Sequence, residues 1–335
     1  MEFDEIPVRY VIDRILPGSG ARGLKPREVR YSMFSGLMPA MVTPFDERGE
    51  VDLGATEAVI ERFIEAGVAG ISPLGSTGEA SHLTSEERKR FIEEVTRIVA
   101  GRVPLVVGVG APGTREAVEL ARHAEGVGAD AVLVVSPFYW KVGEEGLFRH
   151  FAVVAEAVEI PVLIYNLPML TGIDLSPSLI GRIAAECPNV SGLKDTVTEY
   201  LHTVGVLREV KPIRPDFSVL SGWEDLILPS LLAGADGSIC AFANVAPELF
   251  VNLVRSTRDG DLERAVELHR RVLTLVTLGV YSDPPISAIK LAMNKLGVPI
   301  PPAVRGPALP IPEEAHKKVE DVLREAGLLT VREAG

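Results

Sequence analysis

Eight short apolar runs alternate along this chain with longer amphipathic segments, and that alternation restricts the fold more than any other feature. The runs span 40–43, 70–74, 104–109, 131–135, 161–165, 190–194, 217–221 and 237–241. Each is continuous in apolar residues rather than alternating with polar ones, as expected of strands covered on both faces in a parallel sheet. Between them, 53–65, 85–100, 114–127 and 146–157 carry helical periodicity. The second of these helices opens on Thr84-Ser85-Glu86-Glu87, a capping box in which Thr84 and Glu87 satisfy orphan amides. The helix-to-strand joints place Gly67, Gly128 and Gly234 where a left-handed helix cap is expected. Eight such units in about 215 residues predict an α/β fold, a (β/α)8 TIM barrel. The competing doubly wound open sheet calls for a Gly-x-Gly-x-x-Gly turn after its first strand. The nearest match, Gly108-Val109-Gly110-Ala111-Pro112-Gly113, follows the third run, has Pro in the turn and reads as a loop.

Beyond Ala241 the pattern changes to helices alone, over roughly 247–258, 261–280, 284–296 and 313–327. The chain therefore divides into an N-terminal extension at 1–35, the barrel at 36–245 and a C-terminal helical region at 246–335. The extension reads either as an arm on a neighbouring subunit or as a tail. A formal net charge of −12 repels phosphate backbones and excludes nucleic acid as an expected partner. An anionic substrate must then be attracted locally, against the field of the whole molecule. Two cysteines, Cys187 and Cys240, read as small buried apolar residues in a reducing compartment. No apolar run approaches the ~18 residues of a membrane span, and the acidic N-terminus lacks a secretory apolar core. The cytoplasm is the expected location, with no membrane partner.

Reactive groups in such a barrel sit at the C-terminal ends of strands. Of the nine lysines, Lys89, Lys290, Lys295, Lys317 and Lys318 fall on helical faces expected to be solvated. Lys25, Lys141 and Lys211 fall in connections, and only Lys194 closes an apolar strand. Partial desolvation there favours the neutral amine that attacks carbonyls. Position alone equally allows a lysine reaching out to a rim carboxylate such as Asp195. Gly75-Ser76-Thr77-Gly78-Glu79, after the second run, forms a small polar turn whose amides can converge on an anion. Tyr165 ends the fifth run, where it is either a proton relay or a rim residue. Ser136-Pro137-Phe138-Tyr139-Trp140 places aromatics in a loop, as substrate contacts or a subunit interface.

Taken together these clusters resemble the dihydrodipicolinate synthase / N-acetylneuraminate lyase superfamily of class I aldolases. The resemblance covers about 36 to 328 and rests on five ordered motifs. They are Thr43-Pro44-Phe45, the 75–79 turn, Pro137-Phe138-Tyr139, Tyr165-Asn166-x-Pro168-x-x-Thr171-Gly172 and Gly192-Leu193-Lys194-Asp195. The resemblance implies that Lys194 forms a Schiff base with pyruvate or another 2-oxo acid, without metal or cofactor. It implies that Tyr165 is the general acid/base and that Ser76 and Thr77 bind the carboxylate. It also implies that Tyr139 reaches into a partner's site within a homotetramer built from two tight dimers.

The substrate follows from departures within the motifs. Leu170 stands where the synthases carry an arginine that clamps the second substrate's carboxylate. The loops 137–142 and 194–196 are more like those of enzymes that cleave 2-keto-3-deoxy sugar acids, the 2-keto-3-deoxygluconate aldolases among them. Gly222-Trp223-Glu224-Asp225 resembles their polyol-recognising stretch, with Trp223 where Tyr is common and Glu224 where Asp is common. Thr196, Gly222, Glu224 and Ser238 are thus expected to bind substrate, and Asn244 to border the same pocket. Dihydrodipicolinate synthase is the second reading, with N-acetylneuraminate lyase and hydratase-aldolases behind it. A ligand-binding protein on the same barrel, without turnover, is the alternative of another class.

Overall fold

The parallel pairing that the continuous apolar runs predict is present throughout the sheet. The computed structural model describes residues 33–329, so all but the last three positions of the expected extension 1–35, and residues 330–335, lie outside the described residues. Seven strands are β1 (Gly36–Pro39), β2 (Val106–Gly108), β3 (Ala131–Val135), β4 (Val162–Asn166), β5 (Val190–Asp195), β6 (Ser218–Ser221) and β7 (Gly237–Cys240). They form one curled parallel sheet in the order β1-β7-β6-β5-β4-β3-β2. Helices follow the strands, from Leu53–Glu65 onward, in the β-then-α order of the sequence.

Two of the expected runs differ in detail. The first strand lies at 36–39 rather than 40–43. Its pairing starts where Gly36 meets Gly237, and β7 ends at Cys240, so the ladder closes there. Past it, the amide of Val42 donates to the side chain of Asn244 instead. The run 70–74 forms isolated bridges, Ala40 to Ser72 and Ile71 to Leu105, rather than a continuous strand. Pro73 has no amide to donate, and Leu74 turns left-handed at φ 57°, so a longer ladder cannot form. The segment still bonds to both sheet edges: the Ser72 amide to the Pro39 carbonyl, and the Val106 amide to the Ile71 carbonyl.

Side chains along the strands divide two ways with period two. Leu37, Val107, Val132, Val134, Ile164 and Val219 pack outward against the helices. Met38, Val106, Leu133, Leu163, Tyr165, Leu220 and Ile239 form a second cluster on the inner face. Helix boundaries follow the local chemistry. Thr84 accepts from the Glu87 amide while the Glu87 carboxylate takes the Thr84 amide, completing the capping box of Ser85–Val99. Gly67, Gly128 and Gly234 have φ of 75°, 95° and 107°, the left-handed conformation expected at those joints. After β7 come the helices Pro247–Arg258, Leu262–Val276, Ile286–Lys295 and His316–Glu325. Among the described residues no single helix is long and apolar enough to cross a membrane.

Lys290 corrects an expectation. Its helix, Ile286–Lys295, is buried from Ile286 through Met293, and Lys290 itself has no solvent exposure. An ammonium there requires a counter-charge, and Glu79 supplies it at 2.6 Å.

Candidate active site

β4 and β5 lie side by side in a register that pairs Tyr165 with Lys194. Both residues therefore project from the same face at the C-terminal ends of neighbouring strands, with Leu220 of β6 next in the row. Lys194 is 3 % exposed and Tyr165 is 4 % exposed. The side-chain nitrogen of Lys194 lies over the tyrosine ring, 4.1 Å from its centroid. The Tyr165 hydroxyl is 3.1 Å from Ser76 Oγ. An amine, a phenol and a small hydroxyl thus form one continuous line from two strand ends and the turn that follows the bridging segment 70–74.

The turn carrying Ser76 is fixed from below. Gly78 packs so tightly that a Cβ there would lie 2.8 Å from the Leu74 nitrogen and 3.0 Å from the Met41 carbonyl oxygen. The Thr43 hydroxyl donates to the Gly78 carbonyl at 2.6 Å. Thr77 is buried in the same turn. The turn and Tyr165 border a cavity of about 420 Å³ that also reaches Leu170 and Thr171. Leu170 is exposed, so the position that could have carried a carboxylate clamp contributes an apolar side chain to this cavity.

Thr196, Gly222, Glu224 and Ser238 do not line that cavity. Thr196 follows β5 and its amide donates to the Asn166 carbonyl. Its Oγ1 is buried and meets no protein partner. Gly222 makes room for it: a Cβ at 222 would stand 1.8 Å from Thr196 Oγ1. Ser238 is fully buried and donates to the Ser221 carbonyl, so its proton serves the β6–β7 joint. Glu224 is buried and accepts from the amides of Ala241 and Phe242 through one oxygen. Burial pushes its carboxyl up, against those amides and the nearby Lys194 charge. Asn244 bonds to the backbone at Val42, Ala40 and Ala241, which is a tie between strand ends.

Tyr139 stands apart from this group. It is 91 % exposed at φ 80°, its ring edge-on to the exposed Trp140. Within one chain it remains at the surface.

Two features escaped the sequence reading. Arg88 lines the cavity, is 5 % exposed, and donates to the Gly110 carbonyl while its Nε has no protein partner. Its signal was present in the spacing Arg88-Phe91-Ile92-Val95, which puts the arginine on the buried stripe of its helix. The second is a network around Asp195, the residue after the lysine. Its carboxylate accepts from Asn166, Thr203 and His202, and His202 also contacts the Leu175 carbonyl at 2.7 Å. Desolvation opposes a charge on His202, but Asp195, the Leu175 carbonyl and Asp174 together outweigh it and raise the imidazole to about 9. Asp195 is therefore held away from Lys194 by other partners, which removes the rim pairing that position alone allowed.

Residues 33–326 match the model of the dihydrodipicolinate synthetase family. The chain belongs to that family. Among similar proteins of this family is YjhH of Escherichia coli K12, named as a probable 2-dehydro-3-deoxy-D-pentonate aldolase. It is 40% identical over 298 residues, covering 89% of this chain and 99% of YjhH. The 4-hydroxy-tetrahydrodipicolinate synthase of Methanocaldococcus jannaschii is 38% identical, over 89% of this chain and all of that protein (100%). Among solved structures, YagE, a prophage protein of the same family from Escherichia coli K12 in complex with pyruvate, superposes with a TM-score of 0.88. It shares 38% identity and covers 89% of this chain and 100% of its own.

Proposed function

We propose that this family member is a pyruvate-dependent class I aldolase that holds its 2-oxo acid as an imine on Lys194. Its preferred substrate is a 2-keto-3-deoxy sugar acid, cleaved to pyruvate and an aldehyde. The observation that carries this reading is the buried Lys194 nitrogen, 4.1 Å from the Tyr165 ring centre, with the Tyr165 hydroxyl joined to Ser76.

The chemistry follows from that line. The neutral amine adds to the C2 carbonyl, and the Tyr165 phenol supplies the proton with which the carbinol oxygen leaves as water, so that a protonated imine and a phenolate remain. Tyr165, as phenolate, removes the proton of the C4 hydroxyl; the C3–C4 bond breaks and its electron pair moves into the imine as an enamine. The aldehyde departs, C3 takes a proton, and water releases pyruvate and the free amine. The amides and hydroxyls of Ser76 and Thr77 seat the substrate carboxylate. Hydrogen bonds to a charged group in a water-poor site contribute about 1.5–3 kcal/mol each.

The distal polyol falls to Thr196, Gly222, Glu224 and Ser238. The unpartnered Thr196 hydroxyl is the group among them that a substrate hydroxyl would satisfy. The probable activity of YjhH supports this substrate class, and pyruvate bound to YagE supports the 2-oxo acid. Dihydrodipicolinate synthesis is the second reading, favoured by the Methanocaldococcus jannaschii synthase at similar identity. Leu170 counts against it, because an apolar side chain cannot clamp the semialdehyde's carboxylate.

The run 70–74, bonded to both sheet edges, serves in this reading as the eighth strand of a closed barrel, with 246–335 as a helical addition and 1–35 as an extension. Tyr139 completes a partner's proton relay in a homotetramer, a role suited to the exposure of Tyr139 and Trp140. Cys187 and Cys240 are both free and buried, which suits the cytoplasm.

Borohydride reduction in the presence of pyruvate, followed by peptide mass mapping, tests the imine. Label on the Lys194 peptide is expected, with none in a Lys194→Arg variant; an unlabelled Lys194 ends the proposal. Incubation with pyruvate plus glyceraldehyde, and separately with pyruvate plus aspartate semialdehyde, tests the substrate class. Product from the semialdehyde alone would reverse the order of the two readings.

A further inference from the structure

The turn that seats the 2-oxo acid carboxylate is held by a buried charge cluster reaching in from the C-terminal helices. Glu79 closes that turn in the left-handed conformation, φ 53° and ψ 32°, a region a glutamate enters only when its surroundings hold it there. Its amide donates to the Ser76 carbonyl at 3.0 Å, so the position of Glu79 sets the position of Ser76. Both carboxylate oxygens are taken. Oε1 accepts from Lys290 Nζ at 2.6 Å, and Oε2 accepts from the Arg305 amide at 2.9 Å, with His82 Nδ1 3.5 Å away.

The cations are fixed in turn. Lys290 also donates to the Ala303 carbonyl at 2.7 Å and lies 4.5 Å from the centre of the Phe45 ring. The Arg305 guanidinium covers the same ring at 4.8 Å and bonds Glu87 and the Gly49 carbonyl. Neither Lys290 nor Glu79 exposes any side-chain surface. Such a pair is a weak source of stability, because desolvation offsets most of the attraction. What it gives is a unique geometry for the backbone it terminates on.

We infer that Glu79 and Lys290 are positioning residues for 2-oxo acid binding: the buried pair sets the 76–79 turn so that its amides and hydroxyls converge on the substrate carboxylate. The inference rests on the proposed imine at Lys194 and assigns a functional duty to the helix Ile286–Lys295, well outside the strand ends that carry the chemistry. Neither residue touches the reacting atoms. Their loss should therefore weaken occupancy of the site while leaving the saturated rate of imine formation near that of the unaltered protein.

The test is borohydride trapping across a pyruvate titration, in the unaltered protein and in the E79Q/K290M variant, which removes both charges and keeps the shapes. The half-saturating pyruvate concentration should rise at least tenfold in the variant, with the same extent of Lys194 labelling at saturation. A purely structural pair would lower Tm and leave half-saturation unchanged in the folded variant, and that result overturns the inference alone. An unlabelled Lys194 in the unaltered protein overturns both this inference and the imine. Hydrogen exchange on the unaltered protein gives an arm independent of variant folding. The amides of Gly78, Glu79 and Ala80 should exchange together with those of the helix around Lys290. Much faster exchange at the turn than in that helix would show that the pair does not hold it.

Discussion

Thr196→Val isolates a polar atom that is buried without a protein partner. The two side chains have nearly the same shape, and the space around Oγ1 is defined by Gly222, whose missing Cβ would fall 1.8 Å from it. A methyl at the Oγ1 position fills that space without a new clash. An unsatisfied buried hydroxyl costs about 1–3 kcal/mol, so replacing it with an apolar group should stabilise the folded chain by about 1 kcal/mol. For a chain of this length that corresponds to a Tm rise of about 2 °C, readable by calorimetry. The same substitution removes a hydrogen bond to the substrate polyol. A neutral bond is worth about 0.5–1.5 kcal/mol, so kcat/KM for a 2-keto-3-deoxy sugar acid should fall by roughly 2- to 12-fold. Half-saturation by pyruvate, which has no distal hydroxyls, should stay the same. A variant that loses stability, or that keeps full kcat/KM for the sugar acid, would refute the argument that this hydroxyl awaits the substrate.

Tyr165→Phe removes the proton carrier and keeps the ring under Lys194; aldol cleavage should fall by about 10²–10⁴-fold while pyruvate can still be trapped on Lys194, as read by steady-state rates and borohydride labelling. His202, raised to about 9 in the fold, contributes stability that is fully present below pH 6.5 and is lost as pH rises through 9. That contribution is about 3 kcal/mol at most, and denaturant titrations of His202→Gln should show a flatter decline across this window. His150 is pushed down to about 4 by burial, so its contribution is present above pH 6.5 and is lost as pH falls through 4, and His150→Gln should flatten the acid side. Leu170→Arg changes an exposed position, so stability should move by no more than about 0.5 kcal/mol, while turnover with aspartate semialdehyde should rise in a product assay.

The sequence made the juxtaposition of Lys194 and Tyr165 legible because strand ends in a parallel sheet are where apolar runs stop, and each is the polar end of such a run. Local grammar was equally readable: the Thr84 capping box and the left-handed Gly67, Gly128 and Gly234 depend only on neighbouring residues. Lys290 was misplaced because helical periodicity assigns a charge to the solvated side by default. Its partner Glu79 is 211 positions away, and no local pattern announces a pairing over that distance. Arg88 was overlooked for the same reason, although its place on the Phe91-Ile92-Val95 stripe was available. The run 70–74 was apolar enough to be a strand, yet Pro73 and the left-handed Leu74 cut its ladder to isolated bridges. Apolar content reports burial; the count of amides able to pair decides whether a buried run becomes a strand.

With a formal charge of −12, the carboxylate binding proposed for this chain needs its attraction built within a few ångströms of the site. Exposed acids lying more than about 8–10 Å away are largely screened at physiological salt, so the global charge sets little of the potential felt inside. Near the site the balance is different. Arg88 is a buried cation on the cavity wall and keeps one donor without a protein partner, and the buried Lys194 nitrogen lies over the ring of Tyr165, which borders the same cavity. The acids close by are tied down: Glu79 by Lys290 and the Arg305 amide, Asp195 by Asn166, Thr203 and His202, and Glu224 by two backbone amides with its carboxyl pushed up by burial. Each of these three carboxylates therefore already has donors or a counter-charge, and Glu116, the acid that lines the cavity itself, faces the Arg88 charge there. The consequence is an order of sensitivity. Raising salt should shift pyruvate half-saturation only slightly, because the relevant charges are buried and poorly screened. Freeing a single one of these acids, as K290M would free Glu79, should shift it far more.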